Sequence, residues 1–245
     1  MSNIVKRLWT ALQPIVDLET GVVVAHEALL RGPQGTRWES PAALFDAANR
    51  LGHRDILEAN ARRLALARLL DLPADQKLFM NVDAWSPDIP AMPGRFDIPP
   101  ERVVLEVSER QPVLENPVLL DQVRIWRSAG HTIALDDYGS GYMGVGAILM
   151  LEPDIIKLDR IMIAGVHHDR RRQAIVQTMA HLGEALGITV IAEGLETREE
   201  IACVRAAGIR FGQGYALGRP QRDPVAQPIT VPSREESVNC RTDGA

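Results

Sequence analysis

Short apolar runs, each stopped by an acid, an amide or a lysine and each followed by a helix-like stretch, constrain this chain more than any other feature. Thr132, Ile133, Ala134 and Leu135 form one such run, ended by Asp136 and Asp137 before the turn Gly139-Ser140-Gly141. Apolar and β-branched residues without polar alternation suit a strand covered on both faces. Two adjacent carboxylates at its end repel each other and resist burial unless a cation or a proton intervenes. On that stretch alone, a pair of turn-forming acids and a metal site both remain open.

The same grammar recurs. Leu78-Phe79-Met80 ends in Asn81, Val103-Val104-Leu105 runs into Glu106 with Glu109 shortly after, and Ile155-Ile156 leads to Lys157 and Asp159 on one face. Ile188 to Ala192 ends in Glu193, and a final irregular strand over 209–217 carries Gln213 between two glycines. Near the N-terminus, runs over 11–17 and 21–30 are joined by Leu18-Glu19-Thr20, short enough for an antiparallel hairpin. Glu27 interrupts the second run and needs a partner; Arg31 could supply one, or could face a phosphate. Strand alternation puts His26 on the opposite face, where packing against a helix is its ordinary use.

Helices are expected between these runs. Ser40-Pro41 opens one, and Thr197 with Glu200 makes a capping box for another. Others are read over 54–70, 117–129, 142–151 and 169–186, and the arginines of the first of these read as a solvated face. Pro87, Pro90, Pro93, Pro99 and Pro100 exclude a long regular element between Asp83 and Pro100.

Eight strand candidates alternating with helices predict an α/β fold, a modified TIM (β/α)8 barrel with an irregular antiparallel first strand pair; a doubly wound open sheet is the runner-up. A chain of 245 residues fits one such barrel, expected over 1–220, with a polar, proline-bearing and disordered tail over 221–245. The net charge of −5 argues against a DNA or RNA polymer as partner. No uninterrupted apolar run approaches a membrane span, so no membrane insertion and a cytoplasmic location are expected. Cys203 and Cys240 lack metal-ligand spacing, and disulfide, zinc and nucleophile readings carry little weight.

In a barrel the C-terminal strand ends meet at one mouth. Here they would carry Glu27, Asn81, Glu106, Asp136, Asp137, Lys157, Asp159, Glu193 and Gln213, six carboxylates among nine side chains. Such a cluster is unfavourable without cations, and its oxygen-only donors select magnesium or manganese over zinc. An Asp-Asp corner can flank two such ions, which points to hydrolysis of a phosphate ester. The glycine turn lacks the GxxxxGK[ST] pattern of a nucleotide P-loop.

These residues also carry a family resemblance. Gln13-Pro14-Ile15-Val16-Asp17, Glu27-Ala28-Leu29-Leu30-Arg31, Asn81-Val82, Leu105-Glu106-Val107-Ser108-Glu109 and Asp136-Asp137-Tyr138-Gly139-Ser140-Gly141-Tyr142 follow one another along the chain. Lys157-Leu158-Asp159, Ala192-Glu193-Gly194-Leu195-Glu196-Thr197 and Gln213-Gly214-Tyr215 complete a set that resembles the EAL-domain cyclic di-GMP phosphodiesterases in order and over nearly the whole chain. The resemblance implies a two-metal phosphodiesterase that converts cyclic di-GMP to linear pGpG in bacterial signalling. It implies that Glu27, Asn81, Glu106 and Asp136 ligate one Mg2+ or Mn2+ ion, with Asp136 and Asp137 at a second. Glu193, Lys157 and Gln213 match residues around the attacking water, and Gln13, Arg31 and Asp159 match substrate-contacting positions. Glu109 matches a residue that anchors the glycine loop, which in the family connects metal binding to a homodimer interface.

Two departures are local. Met143-Gly144-Val145 stands where the family usually has two serines and a leucine, which bears on loop and dimer behaviour, and Asp83 replaces a serine. These residues carry no GGDEF-like segment or sensor domain, so regulatory input is expected from a partner, from dimerisation or from sequence outside them. The alternative function is a receptor module that holds cyclic di-GMP without turnover.

Overall fold

The structure, a computed structural model, describes residues 2–82, 98–109, 116–141 and 144–233. A four-residue helix α1 (Ser2–Val5) precedes strands β1 (Trp9–Asp17) and β2 (Val23–Arg31). Helices α2 (Pro41–Leu51) and α3 (Arg54–Arg68) lead to β3 (Lys77–Asn81) and, further on, β4 (Val103–Ser108). Then follow α4 (Pro117–Ser128), β5 (Thr132–Tyr138), α5 (Val145–Leu151), β6 (Ile155–Leu158), α6 (Arg160–Ile163) and α7 (Arg170–Leu186). The barrel ends with β7 (Thr189–Ala192), α8 (Arg198–Ala206) and β8 (Phe211–Gly212).

The eight strands close into a barrel in chain order. β1 is antiparallel to both neighbours, β2 and β8, while all other pairs run parallel. The expected barrel and its reversed first strand are therefore present, and the open sheet is excluded by closure.

Period-two alternation gives each strand one face toward the barrel axis and one toward the helices. Ile15, Ala25, Phe79, Val104, Ala134, Ile155 and Ile191 form one buried cluster, with Phe211 packed against it. These are inward residues, one from each of the eight strands. Two positions further toward the mouth, on the same strands or just past the ends of β7 and β8, stand Gln13, Glu27, Asn81, Glu106, Asp136, Lys157, Glu193 and Gln213. In β1 that step runs backward along the chain, because the strand is reversed. Polar side chains thus rest on an apolar plug, and the outward faces build a larger core with the helices, including Leu12, Leu78, Leu105, Leu135 and Leu158.

Several local expectations hold for the expected physical reasons. Ser40 caps α2 by accepting the Ala43 amide, with Pro41 in the first turn, and Thr197 with Glu200 forms the capping box of α8. Others change. The strand read over 209–217 shortens to Phe211–Gly212, because Cβ atoms at Gly212 and Gly214 would meet Leu195, forcing a tight turn. The helix read over 142–151 is helical from Val145; Tyr142 and Met143, like Asp83, lie outside the described residues. Arg62, read as solvated, is buried beside Glu58 at 3.8 Å. Cys203 on α8 is disulfide-bonded, against the little weight its sequence context gave that reading; Cys240 lies outside the described residues.

The tail expectation is corrected for 221–233. Gln221 exchanges backbone hydrogen bonds with Leu12 at 2.7 and 3.0 Å, the Val225 amide donates to His26 Nε2 at 3.0 Å, and the Ile229 amide donates to Gly21 O at 2.8 Å. Arg205 then donates to the carbonyls of Pro232 and Ser233 at 2.6 and 2.5 Å. β1 and β2 are joined by a hairpin rather than by a helix, and this segment covers backbone and histidine edges on their outer side. Among the described residues no helix is long and apolar enough to cross a membrane.

Candidate active site

Lys157 is the centre of the mouth. Its side chain is fully buried, and its ammonium lies 2.5 Å from Glu106, 2.6 Å from Glu193, 3.1 Å from Asp136 and 3.3 Å from Glu27. β6 presents it there because Ile155, two residues earlier, already faces the axis. Burial alone would lower the lysine pKa, but the four carboxylates, Asp136 first, outweigh it and hold the ammonium well above its ordinary range.

One ammonium does not balance four acids. Burial, followed by the Glu27 charge, raises the Glu106 carboxyl well above its usual range despite Lys157. Burial, helped by Asp136 and Glu27, pushes Glu193 up to about 8. Lys157 is the shared cation of all four acids. Lys157 meets part of the charge, and the carboxylates around it remain the hard oxygen donors expected to hold divalent cations.

Amides connect the acids laterally. Asn81 Nδ2 reaches Glu106 at 3.2 Å and Glu27 at 3.4 Å. Gln213 Nε2 donates to Glu27 at 2.6 Å and to Gln13 Oε1 at 3.2 Å, and Gln13 donates to Gly218 O at 3.1 Å. Residues from β1, β2, β3, β4, β5 and β6, together with the first residue after β7 and after β8, are thus joined in one network.

Asp137 is placed by a departure from strand geometry. Alternation would send it to the opposite face from Asp136, but the β5–β6 register is irregular between Leu135 and Tyr138, and Asp137 has φ 56°. Left-handed backbone outside glycine is strained, and aspartate tolerates it better than most residues. Ser108 donates to Asp137 Oδ2 at 3.1 Å, a contact that the sequence reading assigned to no one.

Glu109 gathers the glycine loop. Its Oε2 accepts the amides of Gly139 and Gly141 at 2.8 and 3.1 Å, and its Oε1 accepts that of Gly144 at 2.6 Å. The loop's close approach requires glycine, since a Cβ at Gly141 would lie 2.9 Å from the Glu109 carbonyl oxygen. Asp159 is placed differently from Lys157: β6 ends at Leu158, and Asp159 Oδ1 caps α6 by accepting the Ile161 amide at 2.7 Å. Arg31 lies at the end of β2, its Nη1 donating to Leu30 O at 2.9 Å.

Among the described residues, no three Asp, Glu, His or Cys side chains form a metal cage by themselves; the carboxylates converge on Lys157 instead. The donor set nevertheless fits a hard divalent cation. It consists of carboxylate and amide oxygens, and Asp136 Oδ1 is buried and ion-paired yet accepts no hydrogen bond.

Fold and mouth together define a class: a (β/α)8 barrel with one reversed strand and a carboxylate-lysine-amide centre at its strand ends. The chain belongs to the EAL domain family, whose model matches residues 4–220. It is 31% identical over 216 residues to an uncharacterized signaling protein of Caulobacter vibrioides, covering 85% of this chain and 27% of that protein. It is 29% identical over 227 residues to the probable cyclic di-GMP phosphodiesterase PdeB of Escherichia coli, covering 86% of this chain and 42% of that protein. The chain therefore spans less than half the length of these relatives. Among solved structures it resembles the manganese and cyclic di-GMP complex of Klebsiella pneumoniae BlrP1, with a TM-score of 0.77, 31% identity and coverage of 88% of this chain and 56% of that one. The EAL domain protein of Listeria monocytogenes shares the fold, with a TM-score of 0.79, 24% identity and coverage of 90% and 92%.

Proposed function

We propose that this barrel hydrolyses cyclic di-GMP to linear pGpG. The observation that carries the reading is the buried Lys157 ammonium held among Glu106, Glu193, Asp136 and Glu27 at the strand ends. The names of the relative PdeB and of the BlrP1 complex support the same substrate. Glu27, Asn81, Glu106 and Asp136 would hold one Mg2+ or Mn2+ ion, and Asp136 with Asp137 a second. Such ions would supply Lewis-acid polarisation of the phosphodiester and activation of water.

The side chains do the rest. Lys157 stabilises the ionised form of Glu193 at 2.6 Å, and Glu193 in that form accepts a proton from water. Gln213, fixed by Glu27 and Gln13, orients that water with its remaining amide capacity. The water oxygen adds to phosphorus, the P–O bond to one ring ribose oxygen breaks, and that departing oxygen takes up a proton from solvent, which balances the one that Glu193 received from the attacking water. Gln13 and Arg31 position the substrate; Arg31 suits a phosphate oxygen. Asp159 contributes at the rim through the backbone turn that it caps. Glu109 sets the loop after Asp137 through its three amide contacts.

The functional unit is the barrel through residue 220, acting in the cytoplasm as a homodimer, with input from a separate sensor or regulatory protein. Exposed Val145, Leu149 and Met150 on α5, just beyond the loop anchored by Glu109, favour dimerisation there. Incubation of the purified protein with cyclic di-GMP and manganese, followed by chromatography, should yield pGpG, and chelator should abolish it. Tight binding without product in either metal would replace the enzyme reading by the receptor reading.

A further inference from the structure

We propose that a cavity behind the barrel wall, between α3 and the outer faces of β1, β2 and β3, is a binding site for a small amphipathic carboxylate. The proposal goes beyond the cyclic di-GMP reading and stands or falls independently of it. The room comes from small residues. Ala61 and Ala65, one turn apart on α3, line the cavity together with Ala28 of β2. Leu30 and Met80 add apolar wall around a volume of about 320 Å3, the lower end of the range for small-molecule sites.

The polar groups of this cavity are not those of the mouth. Ala28 and Met80 belong to the outer core with Leu12, and alternation puts Thr10 on the same side of β1 as Leu12. Thr10 is 3% exposed and lines the cavity, and its hydroxyl has no hydrogen-bond partner among the described residues. A buried hydroxyl left in that state is costly, and a ligand oxygen that accepts from it removes the cost.

Charge then selects the ligand. Glu58 pairs with Arg54 at 2.7 Å and with Arg62 at 3.8 Å, and all three line the cavity, Arg62 at only 4% exposure. Two guanidiniums against one carboxylate make the charged lining cationic, and a guanidinium suits a second carboxylate through its parallel N–H groups. The small-residue walls suit an apolar body attached to that head. β2 and β3 stand between this site and the mouth: Asn81 borders the cavity, but its side chain is bonded to Glu27 and Glu106 on the other side.

Octanoate is the probe, because it joins a carboxylate to an apolar body. Acetate has the head alone, and octylamine has the body with the opposite charge. Calorimetry on the full chain should show saturable octanoate binding, roughly tenfold or more tighter than that of octylamine, and no saturable binding of acetate over the same range. Cyclic di-GMP held with calcium should leave the octanoate affinity within about twofold, because the two sites lie on opposite sides of the wall. Thr10→Val, which keeps the shape and removes the hydroxyl, should weaken octanoate by roughly tenfold. Ala61→Leu, which occupies the cavity, should abolish binding; if its melting profile shows that it does not fold, Thr10→Val decides. Absence of octanoate binding, equal binding of octylamine or acetate, displacement by cyclic di-GMP, or an unchanged affinity in Thr10→Val would each overturn the site.

Discussion

A buried lysine ringed by four carboxylates sets the chemistry at the scale of the residue. Lys157→Met should lower cyclic di-GMP hydrolysis by roughly 100-fold or more, because Glu193 loses the charge that favours its ionised form. Steady-state pGpG formation measures this, and a drop below about threefold would remove Lys157 from the water-activating group. Glu193 makes a separate prediction about stability. Its carboxyl titrates near 4.5 when unfolded and at about 8 in the folded, metal-free mouth. Between those values the unfolded chain releases the proton while the folded chain keeps it, so stability falls as pH rises. The raised Lys157 pKa acts above 10.5, outside that window. Below pH 6.5 the lowered His26 pKa acts in the opposite sense, so the urea midpoint of chelated protein should decrease from pH 6.5 to pH 8, and Glu193→Gln should flatten the slope; a midpoint that climbs over this interval contradicts the assignment. Glu193, Lys157 and Glu27 were legible in sequence because ionisable residues ending apolar runs stand out. Ser108 as the partner of Asp137 was not, since a serine at a strand end has many ordinary uses.

Elements owe their boundaries to local chemistry where caps act, and to neighbours where they do not. Ser40-Pro41 and the Thr197–Glu200 box were readable because their partners lie within one turn. β8 was overextended because the apolar stretch after Ile209 gives no hint that Leu195 packs against Gly212 and Gly214. The segment over 221–233 shows the same limit from the other direction: its composition is that of a disordered tail, yet Leu12, His26, Gly21 and Arg205 supply its hydrogen-bond partners from distant parts of the chain. Removal of residues 221–245 leaves those groups bare. We expect the thermal midpoint to drop by roughly 5–10 °C in calorimetry, from about 2–3 kcal/mol of lost hydrogen bonding and packing. An unchanged midpoint would mean that the segment only decorates the barrel.

For the whole molecule, the prediction concerns association. Leu149 is 72% exposed on α5, close to the loop gathered by Glu109, and its apolar surface is most simply covered by a second copy. Leu149→Glu should shift sedimentation from dimer to monomer and reduce turnover several-fold; a wild type that sediments as a monomer at all concentrations rules the dimer out. What the sequence by itself determined was the alternation of apolar runs with helices and the polar residue at each strand end. Those follow from periodicities of two and of about 3.6, which are properties of neighbouring residues. Tertiary structure alone decided that seven other strand ends gather around Lys157, that Asp137 turns left-handed, and that a polar C-terminal segment straps β1 and β2. Each depends on barrel closure, which brings residues as far apart as Glu27 and Gln213 within 2.6 Å and thereby creates the shared charge that no local stretch contains.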